Sequence, residues 1–258
     1  MCWSGEASTV LATIGLSSTA FFYYKKEPPV LCLTLGYFAL MEALQAYTYT
    51  VIDQCGDPGN QIATLLGYLH IAFQPFFINA ISLYFIPERI KIRISGAVYA
   101  FCFISTLCLL IRIYPFNWIP ACYQVKYKLF LLDSFFDPFI VPFCGERICS
   151  ISGQWHIAWE IPAIANLASI NMYCIAAFVL PFLYGSWKMT AYHLFTGPFL
   201  AYLTTNNPNE WAAVWCLYSI GLLLLLVKTP IRRYLRVGHW FWWRFLEKPG
   251  EDIRRNIP

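Results

Sequence analysis

Trp211-Ala212-Ala213-Val214-Trp215-Cys216-Leu217-Tyr218-Ser219-Ile220-Gly221-Leu222-Leu223-Leu224-Leu225-Leu226-Val227 runs without a charge and stops at Lys228. An uncharged apolar run of this kind suits the hydrocarbon core of a bilayer, which takes roughly 20 residues at about 1.5 Å each. Comparable segments precede it at about 7–24, 30–52, 61–86, 94–114, 154–184 and 187–205, with this last one at 210–227. Composition agrees: 258 residues, 59% hydrophobic, 19% aromatic and 12% charged, leave too little polar surface for a water-soluble globule. The mean hydropathy is +0.53. The expected fold is all-α, one polytopic bundle of seven transmembrane helices over residues 1–231, multi-pass in the plasma membrane or an endomembrane.

Lys and Arg favour cytoplasmic loops, so their distribution sets the orientation. Lys25 and Lys26 follow the first span, Arg89, Lys91 and Arg93 the third, and Lys188 the fifth. Lys228, Arg232, Arg233, Arg236, Arg244, Lys248, Arg254 and Arg255 follow the seventh, so fourteen of eighteen basic residues share one side. Arg112, Lys126, Lys128 and Arg147 fall on the other. The N-terminus is therefore expected outside or lumenal and the C-terminus cytoplasmic, with the first span retained as a reverse signal-anchor. The net charge of +4 sits beside spans and forms no free patch, so nucleic acid is not an expected partner. The tail, 232–258, carries Arg232-Arg233-Tyr234-Leu235-Arg236 and His239-Trp240-Phe241-Trp242-Trp243-Arg244, a mixture that prefers the headgroup layer.

Turn formers at Asp53-Gln54-Cys55-Gly56-Asp57-Pro58-Gly59-Asn60 and Asn206-Asn207-Pro208-Asn209-Glu210 end their spans sharply. The 39 residues from Pro115 to Gly153, rich in Phe, Tyr and Pro, exceed a simple connector and are expected to cap the outer mouth. Within them, Ile140-Val141-Pro142-Phe143 and Arg147-Ile148-Cys149-Ser150 flank Cys144-Gly145-Glu146 and suggest a short hairpin. Cys2, Cys55, Cys122, Cys144 and Cys149 all fall on the outer side, where disulfides form; the odd count leaves at least one over, and the pairing is open. Cys32, Cys102, Cys108, Cys174 and Cys216 read as small apolar fillers inside spans.

An ionisable group in hydrocarbon costs a few kcal/mol and so usually faces a partner or a wet cavity. Glu42 lies roughly 15 Å below the outer end of its span and His70 about 14 Å below the same surface, so the two are expected to meet. Gln45 is on nearly the same face as Glu42, and Gln74 lies one turn below His70 beside Pro75, whose ring frees a backbone carbonyl. His156 and Glu160, at i and i+4, would share a helix face in the outer third of span five, with Glu6 at the lip of span one. His70-Ile71-Ala72-Phe73-Gln74-Pro75 resembles His156-Ile157-Ala158-Trp159-Glu160-Ile161-Pro162, which would also align Asn79 with Asn166 and Ser82 with Ser169, as in a tandem of parallel helices around one site. Each residue has a plainer reading. His70 and His156 tie helices together, Glu42 pairs with His or Tyr, His193 packs beside the Gly197-Pro198 kink, and Asp133 and Asp137 are loop residues.

The opening Met1-Cys2-Trp3-Ser4, with Glu42, Gln45, His70, Gln74 and Pro75, resembles a family of seven-helix membrane proteins that share a Cys-Trp-Ser start, chiefly from large DNA viruses, algae and other microbes. That resemblance implies the seven-helix plan and no particular activity. Gln74-Pro75 is similar, in reverse order, to the Pro-Gln pair of the PQ-loop and sugar-efflux transporters. Alkaline ceramidases are similar in size and topology and hold zinc with His and Asp, but no Asp lies mid-span here and span seven has no His-x-x-x-His pair. Rhodopsins share the N-out plan, yet Trp211 to Val227 offers no lysine for a Schiff base.

The favoured expectation is a small-solute transporter or receptor-like bundle with an outward-facing polar cavity, open to proton coupling. Glu42 and His70 would take a proton or cationic group, Gln45 and Gln74 would orient the ligand, and His156 with Glu160 would guard the mouth. The alternative is a membrane-embedded enzyme acting on a lipid or small apolar substrate, with zinc or iron held by Glu42, His70, His156 and Glu160. A third is a scaffold subunit. The expected partners are the lipid bilayer and a small molecule or proton.

Overall fold

Prolines set where the helices begin. Pro29 and Pro58 occupy first-turn positions, where a missing N–H loses nothing and the fixed φ already suits the helix. Asp57 caps the second of these starts by accepting from Gly59 N at 2.6 Å. The computed structural model describes residues 3–114, 118–124, 142–164 and 167–246. It is mostly helical: α1 Gly5–Tyr24, α2 Pro29–Thr50, α3 Pro58–Tyr84, α4 Glu88–Arg112, α5 Leu167–Cys174, α6 Leu180–Leu183, α7 Trp187–Thr196, α8 Pro198–Thr204, α9 Trp211–Lys228 and α10 Ile231–Tyr234. A π-helical turn, Ile175–Val179, joins α5 to α6.

Among the described residues four helices, α2, α3, α4 and α9, are long and apolar enough to cross a membrane. The first expected span is the full helix α1, but Glu6, Ser8, Thr9, Thr13, Ser17, Ser18 and Thr19 dilute its apolar character. The sixth is broken at Gly197-Pro198, where a Cβ on Gly197 would lie 2.7 Å from the Trp215 indole. The fifth departs most from expectation. Residues 154–164 are not helical; they hold strand β2, Ile157–Glu160, which pairs antiparallel with β1, Cys149–Ser152. The chain is therefore not purely α. The hairpin expected around Cys144–Glu146 also moves, because Cys149–Ser152 pairs with the segment after it and turns at Gly153–His156. Most of the expected cap, including Lys126, Lys128, Asp133 and Asp137, lies outside the described residues, as do Cys2, Asn166, Lys248, Arg254 and Arg255.

Four of the cysteines expected on the outer side form two disulfides, Cys55–Cys149 and Cys122–Cys144, while Cys32, Cys102, Cys108, Cys174 and Cys216 stay free. The first staples β1 to the α2–α3 turn, where Asn60 exchanges two hydrogen bonds of 2.9 Å with the Ser150 backbone. Asp53 adds bonds to Ser152 N at 2.7 Å and Ser152 Oγ at 2.6 Å. Buried Arg112 donates from Nη2 to Pro142 O at 2.9 Å. Trp3 N donates to Trp155 O at 3.0 Å, and Asn209 meets Cys144 through backbone contacts at 3.3 and 3.1 Å. These contacts gather the hairpin, the chain start and the loop before α9 at one end of the bundle, the cap end.

The opposite end collects the basic loops. Arg232 pairs with Glu27 at 2.7 Å, Lys188 Nζ donates to Arg236 O at 3.2 Å, and Val237 N donates to Phe85 O at 2.9 Å. The tail is docked there: Trp243 is buried with its indole N–H on Tyr184 O at 3.0 Å, and Trp240 reaches Leu183 O at 2.9 Å. Phe241, Trp242 and Phe245 point outward.

Between the ends α2 is the central helix, with Leu35, Ala39 and Met41 wholly buried against α1, α3 and α9. Gly15 lets α1 approach closely, since a Cβ there would stand 2.6 Å from Ala39 Cβ. Pro75 interrupts the α3 ladder, and side chains from neighbours reach the backbone around it. Tyr37 donates to His70 O, Thr106 to Ala72 O at 2.7 Å, and Asn79 to Pro75 O at 2.9 Å. Asn79 also reaches Ala176 O, inside the π turn, at 2.8 Å, so one amide serves two irregular helices.

Candidate functional site

Glu42, Gln45 and Tyr49 occupy positions i, i+3 and i+7 of α2 and so form one polar stripe about 10 Å long that runs toward the cap end. Glu42 and Gln45 are 0% exposed. Among the described residues, neither carboxyl oxygen of Glu42 and neither amide atom of Gln45 has a hydrogen-bond partner. Buried polar atoms are paired in most proteins, and exceptions point to water, an ion or a ligand. The Ser8 hydroxyl lies close enough to interact with Glu42 but closes no bond of ordinary geometry with it. Ser8 Oγ instead accepts from the Trp3 indole at 2.8 Å.

The outer end of the stripe meets His156. Tyr49 Oη lies 3.1 Å from Nδ1, and Trp3 and Tyr49 place their rings 5.8 and 5.9 Å from the imidazole. Ile157 N–H donates to the same Nδ1 at 2.8 Å. A backbone N–H is always a donor, so Nδ1 accepts and the proton of the neutral ring sits on Nε2, which is buried without a partner among the described residues. Trp3, Ser8, Glu42, Tyr49 and His156 thus form an arc whose ends approach one another beneath the hairpin.

Glu210 fixes that hairpin. Its carboxylate, 0% exposed, accepts the backbone N–H groups of Gln154 at 2.8 Å, Trp155 at 2.8 Å and His156 at 3.1 Å. Gly153 is obligatory beside it, since a Cβ there would stand 2.4 Å from the carboxyl carbon.

Burial pushes the His156 imidazole down to about 3 from its ordinary 6.5. A histidine that protonates near 6.5 when unfolded and near 3 when folded contributes stability present above 6.5 and lost as pH falls. Acidification to pH 5 is expected to lower stability by roughly 2 kcal/mol, from about 1.4 kcal/mol per unit. The local reason is that a proton on Nδ1 would face Ile157 N–H. Thermal unfolding of wild type against His156→Phe checks this: the variant should lose that part of the acid slope, and equal slopes would exclude His156 as its source.

The remaining expected residues are distributed differently. His70 stacks on Tyr37 at 3.8 Å and meets Phe38 edge-on at 6.4 Å, one turn of α2 away from Glu42. No hydrogen bond joins it to Glu42 among the described residues, and His70 Nε2, like the Glu42 oxygens, is buried without a partner there. Gln74 is already engaged, accepting from Tyr173 and reaching Cys216 Sγ at 3.9 Å. Glu160 closes β2 opposite Cys149, above Gly145, and its half-buried carboxyl is raised by desolvation, with Arg147 opposing. Because His156 and Glu160 are on extended chain, four residues separate them by about 13 Å, where one helical face would bring them to about 6 Å. The likeness of His70–Pro75 to His156–Pro162 is therefore one of sequence only: the first is helix and the second strand. His193 accepts from the Trp215 indole at 3.1 Å and stacks on Phe178, a packing role. Among the described residues no three His, Cys, Asp or Glu side chains gather in a way that could hold a metal ion, so Glu42, His70, His156 and Glu160 are not one ligand set.

Sequence reasoning passed over Ser8, Tyr49 and Glu210. Tyr49 had a signal in its spacing from Glu42 and Gln45; Glu210 had none, because what it binds is backbone.

A model described as a family of unknown function (DUF5765) matches residues 6–236, nearly the whole chain. No curated protein and no solved structure matches it, and the likeness of Gln74-Pro75 to the Pro-Gln transporters gains no support.

Proposed function

The chain belongs to DUF5765, a family of unknown function, and on that premise we propose a seven-helix membrane protein that binds a small polar or cationic solute through Glu42 and Gln45, as a transporter or receptor. α1, the α5–α6 unit and the α7–α8 unit would join the four long helices as spans, with the cap end outside and the basic end cytoplasmic. Leu33, Leu40, Ile62, Phe73, Phe103 and Ile111 face outward as a lipid-contacting belt would. The observation that carries the reading is the four unpaired polar atoms of Glu42 and Gln45 in a wholly buried layer. As a carboxylate, Glu42 would accept a proton or pair with a cationic group of a solute arriving from the cap side, with Tyr49 and His156 above it. His70 and Gln74 act around this site by shaping α3.

The test is reconstitution into liposomes with a trapped pH dye, screening amino acids, small amines and sugars for thermal stabilisation and solute-driven proton entry. One class is expected to produce both, and Glu42→Gln to weaken binding about 10- to 100-fold, the loss of one charge-assisted hydrogen bond. Unchanged binding and flux in Glu42→Gln would overturn the reading. Near-stoichiometric zinc or iron lost with Glu42 would replace it with the metal-dependent enzyme.

A further inference from the structure

At the end opposite the cap, a groove of 1230 Å³ lies between the α3–α4 junction and the segment that follows α9, lined among others by Tyr84, Arg89, Lys228, Arg232, Arg233 and Arg236. Among its described residues five are cationic and Glu88 is the one acid. Glu88 faces Lys91 at 3.1 Å, and Glu27 pairs with Arg232, whose guanidinium it also holds above its usual range. Lys228, Arg233 and Arg236 meet no carboxylate among the described residues. Aromatic faces steady two of them without cancelling charge, Lys228 at 5.0 Å from the Phe21 and Phe22 rings and Arg236 at 5.8 Å from Tyr84.

The groove is also preformed. Val237 N on Phe85 O at 2.9 Å and Lys188 on Arg236 O at 3.2 Å pin the following strap across the end of α3. Beside it Trp240 and Trp243 are anchored while Phe241, Trp242 and Phe245 face outward.

We propose that this groove binds a multiply charged phosphate group, carried by an anionic lipid headgroup or by a soluble phosphate compound. Guanidinium forks match phosphate oxygens in pairs, and basic pockets between helices at a cytoplasmic surface suit such headgroups. The lipid source rests on the membrane reading above, because the outward aromatic rings then stand at headgroup depth. The phosphate chemistry itself does not.

The full chain in phosphatidylcholine nanodiscs is titrated with short-chain phosphatidylinositol bisphosphate, inositol trisphosphate and inorganic phosphate. Saturable binding of the lipid, with weaker binding of the free headgroup, assigns the lipid source; equal affinity for both assigns a soluble ligand. R233Q/R236Q, at two exposed positions, is expected to weaken either about thirtyfold. R233K/R236K should retain part of it, and K25Q/K26Q, which removes the same charge outside the groove, should change it little. No saturable binding to any probe, or equal weakening by both Gln pairs, overturns the proposal. Glu42→Gln is expected to leave this binding intact, so its outcome and that of the cap-side site are read separately.

Discussion

Glu210→Ala is expected to destabilise the protein by about 3 to 5 kcal/mol and to open residues 142–164 to protease. The carboxylate accepts three backbone N–H groups at 2.8, 2.8 and 3.1 Å, and no other acceptor replaces it. Hydrogen bonds to a charged group contribute about 1.5–3 kcal/mol each, and a buried donor left unpaired is penalised further. Gln154 and Trp155 are partly exposed, so water recovers some of the loss; His156 N–H is buried and recovers none. Glu210→Gln should fall between, because the amide keeps one acceptor and turns a donor toward other donors. Thermal unfolding with limited proteolysis checks this, and a loss under 1 kcal/mol would show that the turn holds itself.

Replacing both Cys55 and Cys149 with Ser is expected to have a similar effect. The bond closes a loop across 94 residues, for which chain entropy gives an upper value of about 4 to 5 kcal/mol. Cys122–Cys144, with a separation of 22, should contribute less, about 3 kcal/mol. Asn60 and Asp53 continue to hold β1 after the first is cut, so the hairpin should remain formed but open more often. Hydrogen exchange of Ser150 and Ser152 amides, with and without reductant, reads this directly. Unaltered exchange and midpoint would mean the side-chain contacts suffice.

Much of this arrangement is legible in the residues. The apolar runs mark α2, α3, α4 and α9, and Pro29 and Pro58 mark two starts. Counting residues gives depth along a helix but not rotation about its axis. Glu42 and Gln45 are therefore legible as buried polar groups, whereas the stacking of His70 on Tyr37 is not. The run Ile157-Ala158-Trp159-Glu160-Ile161 suits a helix or a strand, and short apolar runs do not distinguish them. What decides it is tertiary: partners in Cys149–Ser152, the Glu210 carboxylate and two disulfides, none of them local in sequence. The same His-Ile-Ala triplet is consequently helical at His70 and extended at Ile157.

The manner in which the hairpin is tied has a consequence for biogenesis. Its anchors come from Trp3, from Asp53 through Asn60, and from Asn209 and Glu210, so strands β1 and β2 acquire their last contacts only after the ribosome has delivered residue 210. Helix pairs α1–α2 and α3–α4 are near neighbours in sequence and can assemble during synthesis, whereas pairings over such long separations form late. A nascent chain stalled before α9 would therefore carry its helices in place beneath an unlatched hairpin, with its cap-end thiols still open to mispairing.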